Sequence, residues 1–248
     1  MKSKWFHVVL FLVYMATCVL VYGSTPKLSV GVESVENLPF YYTDDNGQYQ
    51  GFVSDLIKLF ADTIEVELVF DSFPIKRLFH ELIQSSIDIK VPDNPKWQAE
   101  LKKGVDIIYS DSFLSIRVGL VGFNGHVDTA FTEITNVSLP LGYTLVGLSE
   151  HQKNSFGIAH TNSIESCIKM VIKKRSMGCY ANLAALRYYV RHKFPEQLDK
   201  VFVYRYFPEQ IGTYHLSTSS RPDIIKKFNH FLNSHKAAVN TLKKQYGL

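Results

Sequence analysis

Cysteine is scarce in this chain, with three residues in 248: Cys18, Cys167 and Cys179. That is too few for the disulfide framework of a small secreted domain. Runs of like charge are missing too. Lys and Arg number 27 against 23 Asp and Glu, and nowhere do five or six of one sign follow one another. The electrostatic footprint of a nucleic-acid binder is therefore lacking. No glycine-rich phosphate loop occurs, and Ser219 and Ser220 belong to no nucleophile elbow. The nine histidines lack metal-ligand spacing: His151 and His160 stand alone, and His230 and His235 lie five apart. No metal, cofactor or nucleic-acid partner is expected.

What is present is enough apolar material for a real core: 46% hydrophobic and 13% aromatic residues against 20% charged. A length of 248 residues fits one large domain or two small ones, the modal domain being about 150 residues. Residues 1–23 start with Lys2 and Lys4, pass through the apolar run Val8–Ala16 and Val19–Val21, and end on Gly23 before Ser24. This is the pattern of a secretory signal, with Val21 and Gly23 at its small-residue positions. A membrane anchor is the alternative, because the run approaches the ~20 residues that span a bilayer. Lipidation at Cys18 is not expected, since Thr17 is larger than the Gly or Ala usual before such a cysteine. Removal of the leader would leave 25 basic against 23 acidic residues, a net +2, and an exported, soluble chain in an oxidising compartment. Cys167 shares a helical face with Ile164, Ile168 and Val171, and Cys179 falls in a short strand. Both are expected as buried small hydrophobes, with a mutual disulfide as the alternative.

The pattern then alternates between two periods. Leu28–Val32 reads as a strand, Asp44–Gly47 as a tight turn, and Phe52, Leu56, Leu59 and Phe60 as one face of a helix over 52–63. Glu65–Phe70 returns to strand alternation. Pro74 opens a second helix, in its first turn, with Leu78, Phe79, Leu82 and Ile83 on one side. A comparable set follows: strands at 137–141, 156–159 and 178–181, with helices at 145–153, 163–173 and from Leu183 to Phe194. Between the sets, residues 114–135 have no strong helical period and contain Gly119, Gly122 and Gly125. Strands at 201–204 and 214–218 precede two final helices. Strands separated by helices argue for a mostly parallel sheet covered on both faces. If the last helices return to the first set, the chain makes two lobes, two crossings and a cleft. The division expected is 24–115 for the first lobe, 116–208 for the second, and 209–248 for the return.

Three segments carry a family likeness. Leu38–Tyr42 with the turn at 44–47 and Gly51–Leu56, then Tyr109–Phe113, then Leu242–Gly247, resemble in order and spacing the bacterial extracellular solute-binding proteins of family 3. The resemblance implies an α/β, two-lobed type II periplasmic-binding-protein fold, with mixed sheets covered by helices and two hinge crossings. Pro92–Trp97, Ile164–Met170 and Tyr180–Asn182 are similar to a subgroup often found without an obvious transporter partner.

A closing cleft needs apolar walls and a few aimed polar groups. Tyr41 and Tyr42, beside Phe40, occupy the loop where the family places an aromatic platform, or else pack over the sheet edge. The family's carboxylate-clamping Arg would fall on Lys103, whose ammonium lacks the guanidinium fork. Lys102 and Lys103 could equally be solvated. Arg77 on the second helix is the substitute candidate, against a plain surface role. Trp97 could stack on a ligand or plug the hinge. Ser110, beside Asp111, could bind solute or fix the crossing. Tyr143 and Thr144 follow a strand and could meet an anionic group. Asn182 stands where amino-acid binders tend to carry an Asp, and equally reads as a helix N-cap. Met177 also stands where the family often has Asp.

The expectation is an exported, monomeric, non-enzymatic protein of the periplasm. It would take a small polar solute, amino-acid-like or otherwise, for an ABC-transporter membrane component or a membrane sensor. A dehydratase-like enzyme on the same fold would need Glu33, Asp93 or Asp111 as its acid or base. An orphan sensory or interaction domain is the third reading.

Overall fold

Strand alternation and helical spacing near the start give the first elements of the computed structural model, which describes residues 25–123 and 125–248. The leader expected in 1–23, with Cys18, lies outside the described residues. Strand β1 (Lys27–Glu33) leads through a small hairpin, β2 (Tyr42–Thr43) and β3 (Tyr49–Gln50), into helix α1 (Phe52–Ile64). Phe52, Leu56, Ile57 and Phe60 of α1 are fully buried, each stabilising by about 1.5–3 kcal/mol when removed from water. Strand β4 (Glu67–Phe73), helix α2 (Ile75–Ile83) and strand β5 (Ile89–Asp93) follow, then α3 (Ala99–Lys102) and β6 (Ile108–Tyr109). Pro74 precedes α2 as its N-cap instead of entering the first turn.

Residues 114–123, within the stretch that lacks a strong helical period, form a ten-residue strand, β7 (Leu114–Phe123). Its glycines obscure the alternation because neighbouring side chains, Leu183 and Val203 at Gly119 and the rings of Phe202 and Tyr204 at Gly122, fill the space of their missing side chains. A Cβ added at Gly122 would lie 2.6 Å from Cζ of Phe202. Beyond it come β8 (Asn136–Pro140), α4 (Glu150–Lys153), β9 (Gly157–Thr161), α5 (Ile164–Ile172), β10 (Gly178–Asn182), α6 (Leu183–Lys193) and β11 (Val201–Val203). The helix expected over 145–153 shrinks to α4, which starts only where Ser149 caps it by accepting from the Gln152 amide. Strand β12 (Gln210–Thr218) and helices α7 (Pro222–Ser234) and α8 (Lys236–Gln245) complete the chain.

The strand order is β4-β1-β5-β12-β7-β10-β8-β9. β1 is parallel to β4 and β5, and β8 to β10 and β9. Between these groups β12 and β7 pair antiparallel with their neighbours, so a sheet expected to be mostly parallel is mixed at its centre. β12 serves both groups: Gln210–Tyr214 pair with β7, whereas Ser217 and Thr218 pair with β6, and His215 and Ser217 with β5. The last helices do return to the first group, where Phe228 and Phe231 pack 5.1 and 5.6 Å from the Phe60 ring. Tyr246 donates to Asp55 Oδ2 at 2.6 Å.

Cys167 and Cys179 are not the unpaired hydrophobes expected. They form a disulfide, their Cα atoms 5.6 Å apart, because α5 lays its apolar face directly on β10. Both are wholly buried.

Candidate functional site

The C-terminal ends of β1, β5, β8 and β10 converge on one cleft, where loops leave backbone and side chains free to meet a ligand. The cleft is tight, with a cavity volume of about 60 Å³ between its walls. From the first half come Glu33 at the end of β1, Asn37 and Tyr41 in the loop after it, Ile75 and Phe79 on α2, and Trp97 beyond β5. The second half supplies Gly142, Tyr143 and Thr144 after β8, Tyr180 and Asn182 on β10, and Ile116 and Val118 on β7. Tyr214 lies where β12 passes between the two.

The halves touch across this cleft. Gln98 Nε2 donates to the Gly142 carbonyl at 2.8 Å, and Tyr143 packs against the cluster of Ile75, Leu78 and Phe79. Gly142 has φ of 88°, and a Cβ there would meet Ile75 Cβ at 2.8 Å. Glycine thus satisfies both the left-handed backbone and the close approach.

Most of the rings here are engaged with one another. The Tyr214 ring has Trp97 at 5.7 Å, Phe40 at 5.8 Å and Tyr41 at 6.4 Å, and its hydroxyl accepts from Asn37 Nδ2 at 3.0 Å. Burial pushes the phenols of Tyr41, Tyr143 and Tyr214 well up, and that of Tyr180 up to about 12, so they act as neutral hydroxyls. Asn37 Oδ1, Tyr143 OH, Tyr180 OH and Asn182 Nδ2 are buried without a well-formed hydrogen bond among the described residues; the Tyr41 hydroxyl, the Val146 backbone and the Tyr214 hydroxyl lie close to the last three but outside good hydrogen-bond geometry. Four orphaned polar atoms around one cleft are unusual, because buried polar groups are normally satisfied.

Behind the cleft lies a buried ionic tetrad. Lys90 Nζ is 3.4 Å from Asp93 Oδ1 and 3.8 Å from Glu33 Oε1, and Lys102 Nζ is 3.6 Å from Asp93 Oδ1. Lys102 also donates to the Asn94 carbonyl at 2.7 Å, and Ser217 to Asp93 Oδ2 at 2.7 Å. Tyr41 donates to Glu33 Oε2 at 2.7 Å. Burial raises the Glu33 carboxyl against the opposing pull of Lys90 and the Tyr41 hydroxyl. Burial also lowers Lys102 to about 8, Asp93 resisting.

Of the residues singled out from sequence, Tyr41, Trp97, Tyr143, Thr144 and Asn182 line the cleft. The other four do not reach it. Tyr42 stays half-buried in the β2–β3 hairpin. Arg77 is exposed and pairs with Glu81 one turn along α2 at 3.1 Å. Lys103 is exposed, while its neighbour Lys102 turns inward. Ser110 braces the crossing, its Oγ donating to the Asp111 carbonyl and accepting from the Leu216 amide. Asn182 fulfils its capping role through Oδ1, which accepts from Ala184 N at 2.9 Å, and this leaves Nδ2 beside the cleft. Of the three carboxylates weighed for catalysis, Glu33 alone lines the cleft; Asp93 lies in the tetrad and Asp111 is exposed. Sequence reading missed Asn37, Tyr180 and Tyr214 as wall residues. Tyr180 had a signal, since strand alternation puts it on the same face as Asn182. Tyr214 had none.

The family model for bacterial extracellular solute-binding proteins, family 3, matches residues 28–247. Among curated proteins no relative matches the sequence. Among solved structures, a mutant of ArgBP from T. maritima superposes with a TM-score of 0.70 at 17% identity, covering 89% of this chain and 94% of that one. The ancestral amino acid-binding protein AncCDT-1, a precursor of cyclohexadienyl dehydratase, gives 0.70 at 20% identity, with 89% and 95% covered. The GluR0 ligand-binding core in complex with L-glutamate gives 0.72 at 17%, with 90% and 99% covered. At these identities the likeness shows the fold, the two-lobed type II arrangement. Among the described residues no helix is long and apolar enough to cross a membrane.

Proposed function

Because the chain belongs to family 3 of the bacterial extracellular solute-binding proteins, we propose that it captures a small polar solute between its two lobes and works by closing on it. The observation that carries this reading is the set of orphaned polar atoms on both sides of one aromatic cleft. Closure assembles contacts from Asn37 and Tyr41 on one side with Tyr143, Tyr180 and Asn182 on the other, so a ligand that needs both favours the closed population. Lobe boundaries at 24–115, 116–208 and 209–248, with hinge motion near Asp111–Phe113 and Tyr214–His215, belong to this proposal. So do removal of a leader at 1–23, residence in the periplasm, a monomeric state, and delivery to an ABC-transporter component or a membrane sensor.

The test is a thermal-shift screen with amino acids, short peptides, polyamines and organic acids. A ligand at a hundred times its Kd stabilises by about 2.7 kcal/mol, a clear rise in Tm. A folded protein that no class shifts overturns the reading. Glu33 gives a second, dehydratase-like reading its one observation, a cleft carboxyl whose affinity for protons burial has raised. Consumption of a bound ligand, read by mass spectrometry, would favour that alternative.

A further inference from the structure

The charges that line the cleft are one-sided. Glu33 is there, but no Lys, Arg or His is among the described residues of its wall. Arg77 and Lys103 are exposed elsewhere. The two buried ammonium groups are already engaged: Lys90 donates to the Pro92 carbonyl and lies 3.4 Å from Asp93, and Lys102 donates to the Asn94 carbonyl. A ligand carboxylate closed into this cleft would find hydroxyls but no cation, and an unpaired buried charge is strongly disfavoured. An ammonium meets the opposite conditions. Glu33 Oε1 receives no hydrogen bond among the described residues, its nearest cation being Lys90 at 3.8 Å, and Asn37 Oδ1 is a second unsatisfied acceptor. Trp97, Tyr143 and Tyr214 make the wall aromatic, and aromatic rings attract cations, as the Lys90 ammonium 5.6 Å from the Trp97 ring already shows. Asn182 Nδ2 remains as a donor to a ligand oxygen.

On the solute-binding reading of the same cleft, we infer that the preferred ligand is a small organic ammonium without a carboxylate, its nitrogen held by Glu33 and Asn37 between aromatic walls. The free α-amino acid of the same skeleton is disfavoured.

Calorimetric titration with matched probes tests this: tyramine against tyrosine, ethanolamine against serine, and the neutral alcohol tyrosol as a third arm. At least one amine is expected to bind about tenfold or more tightly than its carboxylated parent, the scale of a charge-assisted hydrogen bond. Glu33→Gln should remove that preference, bringing the ratio of tyramine to tyrosol affinity down towards one. Should the variant fail to fold, the wild-type ratio decides. Tyrosine or serine binding as tightly as its amine, or tyrosol as tightly as tyramine, overturns the ammonium assignment and leaves solute capture standing. Failure of both amines to bind also overturns it. Capture itself falls only if the broader thermal-shift screen is silent as well.

Discussion

Two adjacent lysines show how much rides on one residue. Lys102 ends α3 and Lys103 is its C-cap, and successive side chains of a helical turn point about 100° apart. One is therefore buried beside Asp93 and the other leaves for solvent. Lys102 titrates in the fold at about 8, below its ordinary value of 10.5. Between those two values the unfolded chain binds more protons, so stability rises with pH across the window and is lost as pH falls through about 8. Urea midpoints at about pH 8 and pH 9.5 should show this gain in the wild type and little or none in Lys102→Met; an equal gain in both would refute it. Counting positions from a family motif led to Lys103, because spacing fixes a place in the chain but not the direction of a side chain. Residue types served better where a backbone role fixed the geometry. Asn182 was legible as a cap, and capping with Oδ1 is what turns the other end of its amide to the cleft. Tyr214 was illegible, since nothing local says that a mid-strand tyrosine will stand where two lobes meet.

At the scale of elements, helices with strong apolar stripes were read to within a residue or two: α1 and α5 each bury the face their spacing marks. β7 was hard to read because Gly122 makes room for Phe202 and Gly119 for Leu183 and Val203, and neither carries a hydrophobic signal of its own. The burial of both cysteines was legible and their disulfide stood only as the alternative, since the approach of two cysteines depends on how helix and strand dock. Cys167 and Cys179 close a loop of 12 residues, for which chain-entropy arguments give about 3 kcal/mol. The double variant Cys167→Ala, Cys179→Ala should lose about 2–3 kcal/mol of unfolding free energy by denaturant titration, and an unchanged midpoint would exclude a stabilising bond.

Across the whole molecule the two-lobed plan was legible, because two α/β sets followed by two unattached helices leave few un-knotted arrangements. The mixed centre of the sheet was not, since periodicity says nothing about strand direction. The close contact at Gly142 makes that plan testable. Gly142→Val sets a branched side chain in a left-handed backbone against Ile75, and should hold the lobes apart. A larger radius of gyration in solution scattering and a smaller ligand-induced rise in Tm are expected; wild-type values for both would show that closure does not need this approach. One last consequence concerns β12, which lies between β5 and β7 although it is made from residues 210–218. During synthesis, both of those strands present a bare hydrogen-bonding edge until more than four-fifths of the polypeptide has emerged, and such edges invite pairing with other chains. A protein stitched together by its last strand must be shielded while it is being made, so premature termination before residue 210 would yield not a smaller binder but a sticky fragment.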